Sequence, residues 1–404
     1  MRLKDVAILN PKYDGEDLDT ELVSFSPMEC LRYDNLRPYT IPFKDARGKY
    51  TYFANNDVLF AKVTPCFENL NTAIASNLLN GIGFGSSEIN VLRFSDKCYT
   101  RYFFYLICSR QFIDNGCASM SGVGGLKRVN PLAVTTFEFD LPLLFEQEAI
   151  ADYLDKECDK ITREIDLLER KVGSYRRMKR SLINYAVMRG LDSQIKTKKS
   201  EGSLSLIIPF HWTEQRIKDI FTEVSMKGYP NEPMLCATQT RGVIPQSMYG
   251  NRVVAALTGL ENMKLVEEGN FVISLRSFQG GIEYAYYRGI ISAAYTILKL
   301  EEGQDKGFYK YFFKSASLIK LMKKCVTGIR EGQNINYSIL KYEMIPVPPL
   351  EEQREIVNYL DDKCSKIDSI IEKIELKIER LKELKRSLIN EVVTGQRTIK
   401  TSDL

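Results

Sequence analysis

The chain has one histidine and one tryptophan among 404 residues, and its nine cysteines are scattered, with no Cys-x-x-Cys pair. The lone imidazole, His211, lies in Pro209-Phe210-His211-Trp212, which reads as an aromatic packing corner. Neither a histidine-based triad nor a multi-histidine metal site is therefore expected. Cysteines without metal-ligand spacing read as reduced thiols used as small apolar residues, which fits a cytoplasmic location. No GxxxxGK[ST] phosphate loop and no strand-placed GxGxxG occurs, so no nucleotide cofactor is expected. No apolar run approaches the length of a membrane span. Met1-Arg2-Leu3-Lys4-Asp5 opens on charge without a hydrophobic signal region, so neither a membrane nor secretion is expected. The net charge of +4 is too mild to identify a polyanion partner, so the placement of basic residues has to carry that question.

What the chain does contain is a second copy of part of itself. Residues 147–187 and 353–393 align at one fixed offset without a gap: Gln147 with Gln353, Tyr153-Leu154-Asp155 with Tyr359-Leu360-Asp361, and Cys158 with Cys364. Lys179-Arg180-Ser181-Leu182-Ile183-Asn184 recurs letter for letter as Lys385-Arg386-Ser387-Leu388-Ile389-Asn390. Each copy follows a proline lead-in, Leu141-Pro142-Leu143 and Pro348-Pro349-Leu350, and each reads as a long helix.

Both copies carry a heptad. Leu154, Ile161, Leu168, Tyr175 and Leu182 fall seven apart, with Cys158, Ile165, Val172 and Lys179 between them. The same places in the second copy hold Leu360, Ile367, Ile374, Leu381 and Leu388, with Cys364, Ile371, Ile378 and Lys385 between. That period is a coiled-coil seam rather than the wider stripe of a globular helix. A helix of roughly 40 residues rises about 60 Å, more than one small domain requires. The simplest way to bury both seams is against each other in an antiparallel pair, which sets one globule at each end. Lys179 and Lys385 interrupt the seam; each either fixes register at a cost in stability or snorkels to solvent.

The globular halves repeat more faintly. Tyr105 lies over Tyr311, Ser109 over Ser315 and Gly122 over Gly328 at the same offset. Leu3-Lys4-Asp5-Val6 resembles Ile217-Lys218-Asp219-Ile220, and Asp57-Val58-Leu59-Phe60 resembles Asn270-Phe271-Val272-Ile273. Each half predicts short strands (57–63, 87–94, 270–275, 294–300) and one amphipathic helix, about 100–115 and 307–324. A Gly-containing loop and a last strand follow. The fold class is α+β, twice: a first globule over 1–146, a helix and linker over 147–200, a second globule over 201–350 and a C-terminal helix over 351–404. Lys196 to Ser205, polar and Ser/Lys/Gly-rich, reads as the linker.

No constellation suggests catalysis. Asn10-Pro11-Lys12-Tyr13 is similar to the Asn-Pro-Pro-Tyr motif of amino-methyltransferases but lacks its second proline and any upstream cofactor loop, so it reads as a turn. What recurs is a set of loop residues suited to recognition: Lys62, Asn69, Lys127 and Arg128 in the first half, and Arg276, Gln279, Arg330, Gln333 and Asn334 in the second. Arg and Lys read guanine in a major groove, and Gln and Asn read adenine. Neighbouring glycines, Gly122, Gly124 and Gly328 among them, let backbone approach phosphates.

At this point the chain resembles the DNA-specificity subunit of type I restriction–modification systems, over nearly its whole length. The carriers in the first half are the run from Asn56 to Asn69 (Asn-Asp-Val-Leu-Phe-Ala-Lys-Val-Thr-Pro-Cys-Phe-Glu-Asn) and Gly85-Ser86-Ser87-Glu88-Ile89-Asn90-Val91-Leu92-Arg93. In the second half they are the run from Ile273 to Glu283 and Gly328-Ile329-Arg330-Glu331-Gly332-Gln333-Asn334-Ile335. The resemblance implies two target-recognition domains, each reading one part of a split site in double-stranded DNA. It implies that the helices set the gap and bind two methyltransferase subunits through seam residues such as Leu154, Ile161, Leu168, Leu182, Leu360, Ile367, Ile374, Leu381 and Leu388. Nuclease-translocase subunits then add to that complex. The subunit itself makes no bonds and needs no cofactor; adenine methylation and ATP-driven cleavage belong to its partners. The N-terminus departs from the pattern, having no counterpart to Ile208-Pro209-Phe210-His211-Trp212. A non-catalytic coiled-coil adaptor whose globules bind protein is the alternative.

Overall fold

The computed structural model describes residues 1–16, 21–122, 125–203, 206–249, 259–275, 277–327 and 334–399. The chain forms two compact units, the first split in sequence and the second continuous: Met1–Glu169 with Glu375–Leu404, and Arg170–Ile374.

The first unit has eight principal strands: β1 (Ala7–Leu9), β2 (Leu22–Ser26), β3 (Tyr39–Pro42), β4 (Thr51–Ala54), β5 (Val58–Ala61), β6 (Thr72–Ile74), β7 (Ile82–Gly85) and β8 (Ile89–Phe94). They make two four-stranded sheets, ordered β1-β8-β5-β6 and β3-β2-β7-β4. The first is antiparallel throughout, and the second has one parallel pair, β2 with β7. β5 is apolar on both faces because both are covered. Val58 and Phe60 join the core under the helices, whereas Leu59 points to a second cluster with Phe53 and Val91, the two-residue period of a strand.

The single helix expected near 100–115 is two, α1 (Thr100–Ile107) and α2 (Arg110–Ala118). The break is at Ser109, whose backbone is extended (φ −68°, ψ 149°) and whose hydroxyl accepts from Phe112 N, making it the N-cap of α2. The second unit repeats the break. There α3 (Lys306–Phe312) ends before Ser315, which accepts from Leu318 N and caps α4 (Ala316–Lys324).

In the second unit β9 (Phe221–Val224), β10 (Leu235–Thr238), β11 (Gly242–Pro245), β12 (Lys264–Val266), β13 (Phe271–Ile273), β14 (Glu283–Tyr284), β15 (Gly289–Ile291) and β16 (Thr296–Leu300) are the principal strands. The sheet β9-β16-β13-β14 matches β1-β8-β5-β6 strand for strand, and β10-β11 and β12-β15 pair separately. The expected linker is partly a strand: Thr197–Lys199 pairs antiparallel with Ile207–Pro209, and Lys198 Nζ donates to Trp212 O at 2.6 Å. His211 does not sit in an aromatic corner. Its Nε2 lies 2.7 Å from Glu352 Oε2, which also accepts from Trp212 Nε1 at 3.0 Å.

The first long helix runs Leu144–Arg189 and the second Leu350–Val393. Within each unit they pair antiparallel, forming a coiled coil. In the first unit Glu164 meets Lys377 and Thr162 meets Lys385; in the second, Val172 packs with Ile367 and Ile371 and Lys179 meets Asp368. The seam residues Leu154, Cys158, Val172, Leu360, Cys364, Ile367, Ile371, Ile378 and Leu388 are buried, while the off-seam Leu167, Leu376 and Leu384 are exposed. Both seam lysines are held. Lys179 Nζ donates to both oxygens of Asp368 at 2.7 and 2.6 Å. Lys385 Nζ donates to Thr162 Oγ1 at 2.9 Å and stands 4.4 Å from the Tyr33 ring centroid.

Each globule is completed by the helix that follows the other one. Leu388, Ile389, Val392 and Val393, from the end of the second helix, share the core of the first unit with α1. Ile183, Ala186, Val187 and Met188, from the end of the first helix, share the core of the second unit with α3 and α4. The polar contacts are duplicated with them. Asn390 Oδ1 accepts from Gln111 N at the start of α2, and Asn184 Oδ1 accepts from Ser317 N at the start of α4. Buried Gln147 bridges Tyr99 N and Pro142 O, and buried Gln353 bridges Asp305 N and Pro348 O. Tyr105 donates to Asp155, and Tyr311 to Asp361. These pairs sit at the fixed offset of the sequence repeat.

Candidate nucleic-acid interface

In the first unit the backbone gathers four of the expected residues. The strand continuing from β5 passes Val63, which bridges Arg128, while Lys62 O accepts from Val129 N and Thr64 N donates to Lys127 O. Ser121 and Arg128 exchange both backbone hydrogen bonds, closing the Gly-containing loop above them. Gly122 has φ +144°, and a Cβ there would lie 2.4 Å from Leu126 O, so the loop can close this tightly only with glycine. Lys127 is exposed and Lys62 half-buried. Asn69 is exposed in the turn after Pro65, where its N–H donates to Pro65 O. Gly124 lies outside the described residues.

Arg128 is engaged. Its Nε and Nη2 donate to the two Glu88 oxygens at 2.9 and 2.7 Å, and this fork-to-fork pair holds the Glu88 carboxyl below its ordinary range. A base or phosphate would have to displace Glu88 to use those donors.

In the second unit Arg276, Gly328, Arg330 and Gln333 lie outside the described residues. Gln279 is exposed on the short helix Ser277–Gly280, which lies against the strand Asn334–Ile335 and against α4. Asn334 is exposed and pairs with Thr327. Gln279 and Asn334 thus stand on adjacent elements.

Sequence reasoning missed a neighbour of that surface, the β10–β11 hairpin. Its tip, Gln239-Thr240-Arg241, is exposed, and Thr238 fastens it by donating to Gly242 O and accepting from Arg241 N. Signal was available in Thr-Gln-Thr-Arg-Gly, a polar turn between two apolar runs, with Gly242 at φ +73°. Beneath the tip lies Glu283, whose side chain is 3% exposed and whose Oε1 is 2.5 Å from Lys314 Nζ. Burial raises the Glu283 carboxyl pKa, and Lys314 opposes that shift.

Among the described residues there is no cluster of three His, Cys, Asp or Glu side chains able to hold a metal ion, and no helix long and apolar enough to cross a membrane. All nine cysteines are free.

The profile of the type I restriction modification DNA specificity domain matches twice, over residues 3–170 and 209–380. The chain belongs to this family. The specificity subunit of the Escherichia coli type I restriction enzyme EcoAI is 40% identical over 152 residues, 37% of this chain and 26% of that protein. That of EcoEI, also from E. coli, is 32% identical over 169 residues, 40% of this chain and 28% of that one. These alignments span between a quarter and a third of the relatives' length. Two solved structures share the fold of the specificity family across the chain. One comes from work on the complex assembly and conformational transition of a type I R-M system (TM-score 0.74, 17% identity, 98% of this chain and 97% of that one). The other is the HsdS subunit from Thermoanaerobacter tengcongensis (TM-score 0.53, 18% identity, 98% and 96%). The two specificity domains of this chain correspond to the two matched ranges, and each range runs into the long helix that follows it.

Proposed function

We propose that this chain is the DNA-reading, non-catalytic subunit of a type I restriction–modification complex. Each specificity domain reads one half of a bipartite site in double-stranded DNA. The paired helices dock two methyltransferase subunits, and nuclease-translocase subunits assemble on that complex. The observation that carries this reading is a duplicated frame under divergent loops. Gln147/Gln353, Ser109/Ser315 and Asn184/Asn390 repeat their hydrogen bonds, whereas the polar residues at the recognition surface change from Lys62, Asn69 and Lys127 to Gln279 and Asn334. A shared frame of contacts under different Arg, Lys, Gln and Asn sets is what two heads need to read different bases. Gly122, by keeping its loop close to Thr64, holds Lys127 where backbone amides and an ammonium can meet phosphate.

The test is methylation mapping of DNA from a host expressing this chain with its methyltransferase. A two-part recognition site separated by unread bases is expected. Methylation at a continuous site, or no dependence on this chain, would refute the proposal. Binding of the purified complex should also fall steeply with salt, whereas a protein-binding adaptor would show no such DNA binding.

A further inference from the structure

We infer that the β10–β11 hairpin tip is a base-reading element of the second domain, and that the ion pair of half-buried Lys314 with buried Glu283 is the clip that sets it against the Gln279 helix. This rests on the DNA-reading function proposed above. Lys314 Nζ makes three contacts at once: Glu283 Oε1 at 2.5 Å, Gly280 O at 3.0 Å and Gln239 O at 3.3 Å. Two of those acceptors are backbone carbonyls from two separate surface elements, so one ammonium ties the tip to the end of the short helix. Side-chain packing tightens the joint. A Cβ on Gly280 would lie 2.8 Å from Gln239 Cγ and Cδ, and one on Gly281 would lie 2.3 Å from Phe313 O. Gly281, at φ +94° and against a backbone carbonyl, has to be glycine for the helix end to approach the end of α3 this closely, while the exposed Gln239 side chain lies over Gly280. Tyr286 N donates to Val243 O and Val243 bridges Ala285, so the hairpin is also joined to the strand that carries Glu283.

The clip does not belong to the duplicated frame. The position of Lys314 in the first unit is Cys108, three places after the matched tyrosines and one before the capping serines. Glu283 stands opposite Val272 in β14, and the residue opposite the matching Leu59 is Ala73. An ion pair that is absent from the sister domain is not required by the fold. It is also an expensive way to hold the joint, because the Glu283 carboxylate is taken out of water to make it. What it provides is fixed geometry at the joint between two exposed glutamines, Gln239 and Gln279, with Arg241 beside them. Gln and Arg are the side chains that read adenine and guanine by paired hydrogen bonds.

The experiment uses the full chain in complex with its methyltransferase subunit. Its probes are duplexes carrying the mapped site, with each base pair of the second half-site changed in turn. Gln239→Ala and Arg241→Ala should each lose discrimination at one base pair of that half-site, by about 5- to 150-fold, and leave the first half-site untouched. Lys314→Met with Glu283→Leu keeps the site apolar and filled. It should lower the cognate to non-cognate ratio on the order of tenfold at several second-half positions. Non-specific affinity and its salt slope should stay unchanged. Full discrimination in all these variants would overturn the inference. So would equal loss of specific and non-specific binding by the double variant, the mark of a purely structural pair. A wild-type complex that discriminates at neither half-site would instead sink the DNA-reading proposal itself.

Discussion

Ile389 and Ile183 occupy the same place in the two sequence repeats, yet each is expected to stabilise the globule encoded by the other repeat. Ile389 is 1% exposed and lies in the core containing Leu106, Ile107 and Phe112, while Ile183, 9% exposed, lies in the core containing Leu318, Leu321 and Met322. Ile→Ala removes three carbons. At about 0.8 kcal/mol per buried CH₂ the transfer loss is roughly 2.4 kcal/mol, and the cavity left behind brings the total to about 2–5 kcal/mol. A 3 kcal/mol loss raises the open population of the affected unit by about two orders of magnitude. Native-state hydrogen exchange followed by peptide can locate it. Ile389→Ala should speed exchange in 100–118, remote in sequence, and spare 306–324; Ile183→Ala should do the reverse. If each variant instead loosened only the globule that precedes it in the chain, the exchange of helix ends between repeats would be refuted.

Loop substitutions should separate the half-sites: Gln279→Ala or Asn334→Ala alters methylation at the second half only, and Lys127→Ala at the first, with about 1–3 kcal/mol lost per base contact. Equal relaxation of both halves in the methylome would reject one domain per half-site. Glu88→Gln breaks the fork on Arg128 and frees a cation, so the salt slope of DNA binding by the complex should steepen by about one charge; an unchanged slope would place Arg128 away from the phosphates. Val172→Asp puts a carboxylate between Ile367 and Ile371, which is costly without a partner. Size-exclusion chromatography should show loss of the methyltransferase complex, and an intact complex would argue that partners do not depend on this seam. One added heptad in each long helix, after Leu168 and after Ile374, should widen the unread spacer by around three base pairs at 1.5 Å per residue. Methylome mapping that returned the original spacer would end the idea that the helices set the distance.

Periodicity made the long helices legible. A seven-residue apolar repeat has one physical solution, a buried seam, and the exposure of Leu167 against the burial of Val172 follows from it. What the repeat could not reveal was which globule each helix end completes, because Leu388-Ile389 and Leu182-Ile183 are identical pairs. Only long-range packing distinguishes them. The split of each short helix was visible in principle, since Ser109 and Ser315 are good caps. Their apolar flanks, however, carry the helical period across the break and masked it. At the interface, residue type pointed to Lys127 and Gln279 as exposed, but it could not show that Arg128 spends its donors on Glu88. Gln239 and Arg241 have no like residue at the matching places of the first half, Tyr33 and Asn35, so recurrence does not mark them.

The exchanged helix ends also fix an order of events during synthesis. The second unit, Arg170–Ile374, is continuous in sequence and has all its parts before the last helix is finished. The first unit emerges earlier but lacks Leu388, Ile389, Val392 and Val393 until the end of the second long helix has been made. The domain made first is thus the domain closed last, and α1 waits on the ribosome with one side of its core open. Exposed apolar surface of that kind invites aggregation and chaperones. A message truncated shortly before Leu388 would yield a chain whose N-terminal half is fully translated and still cannot close.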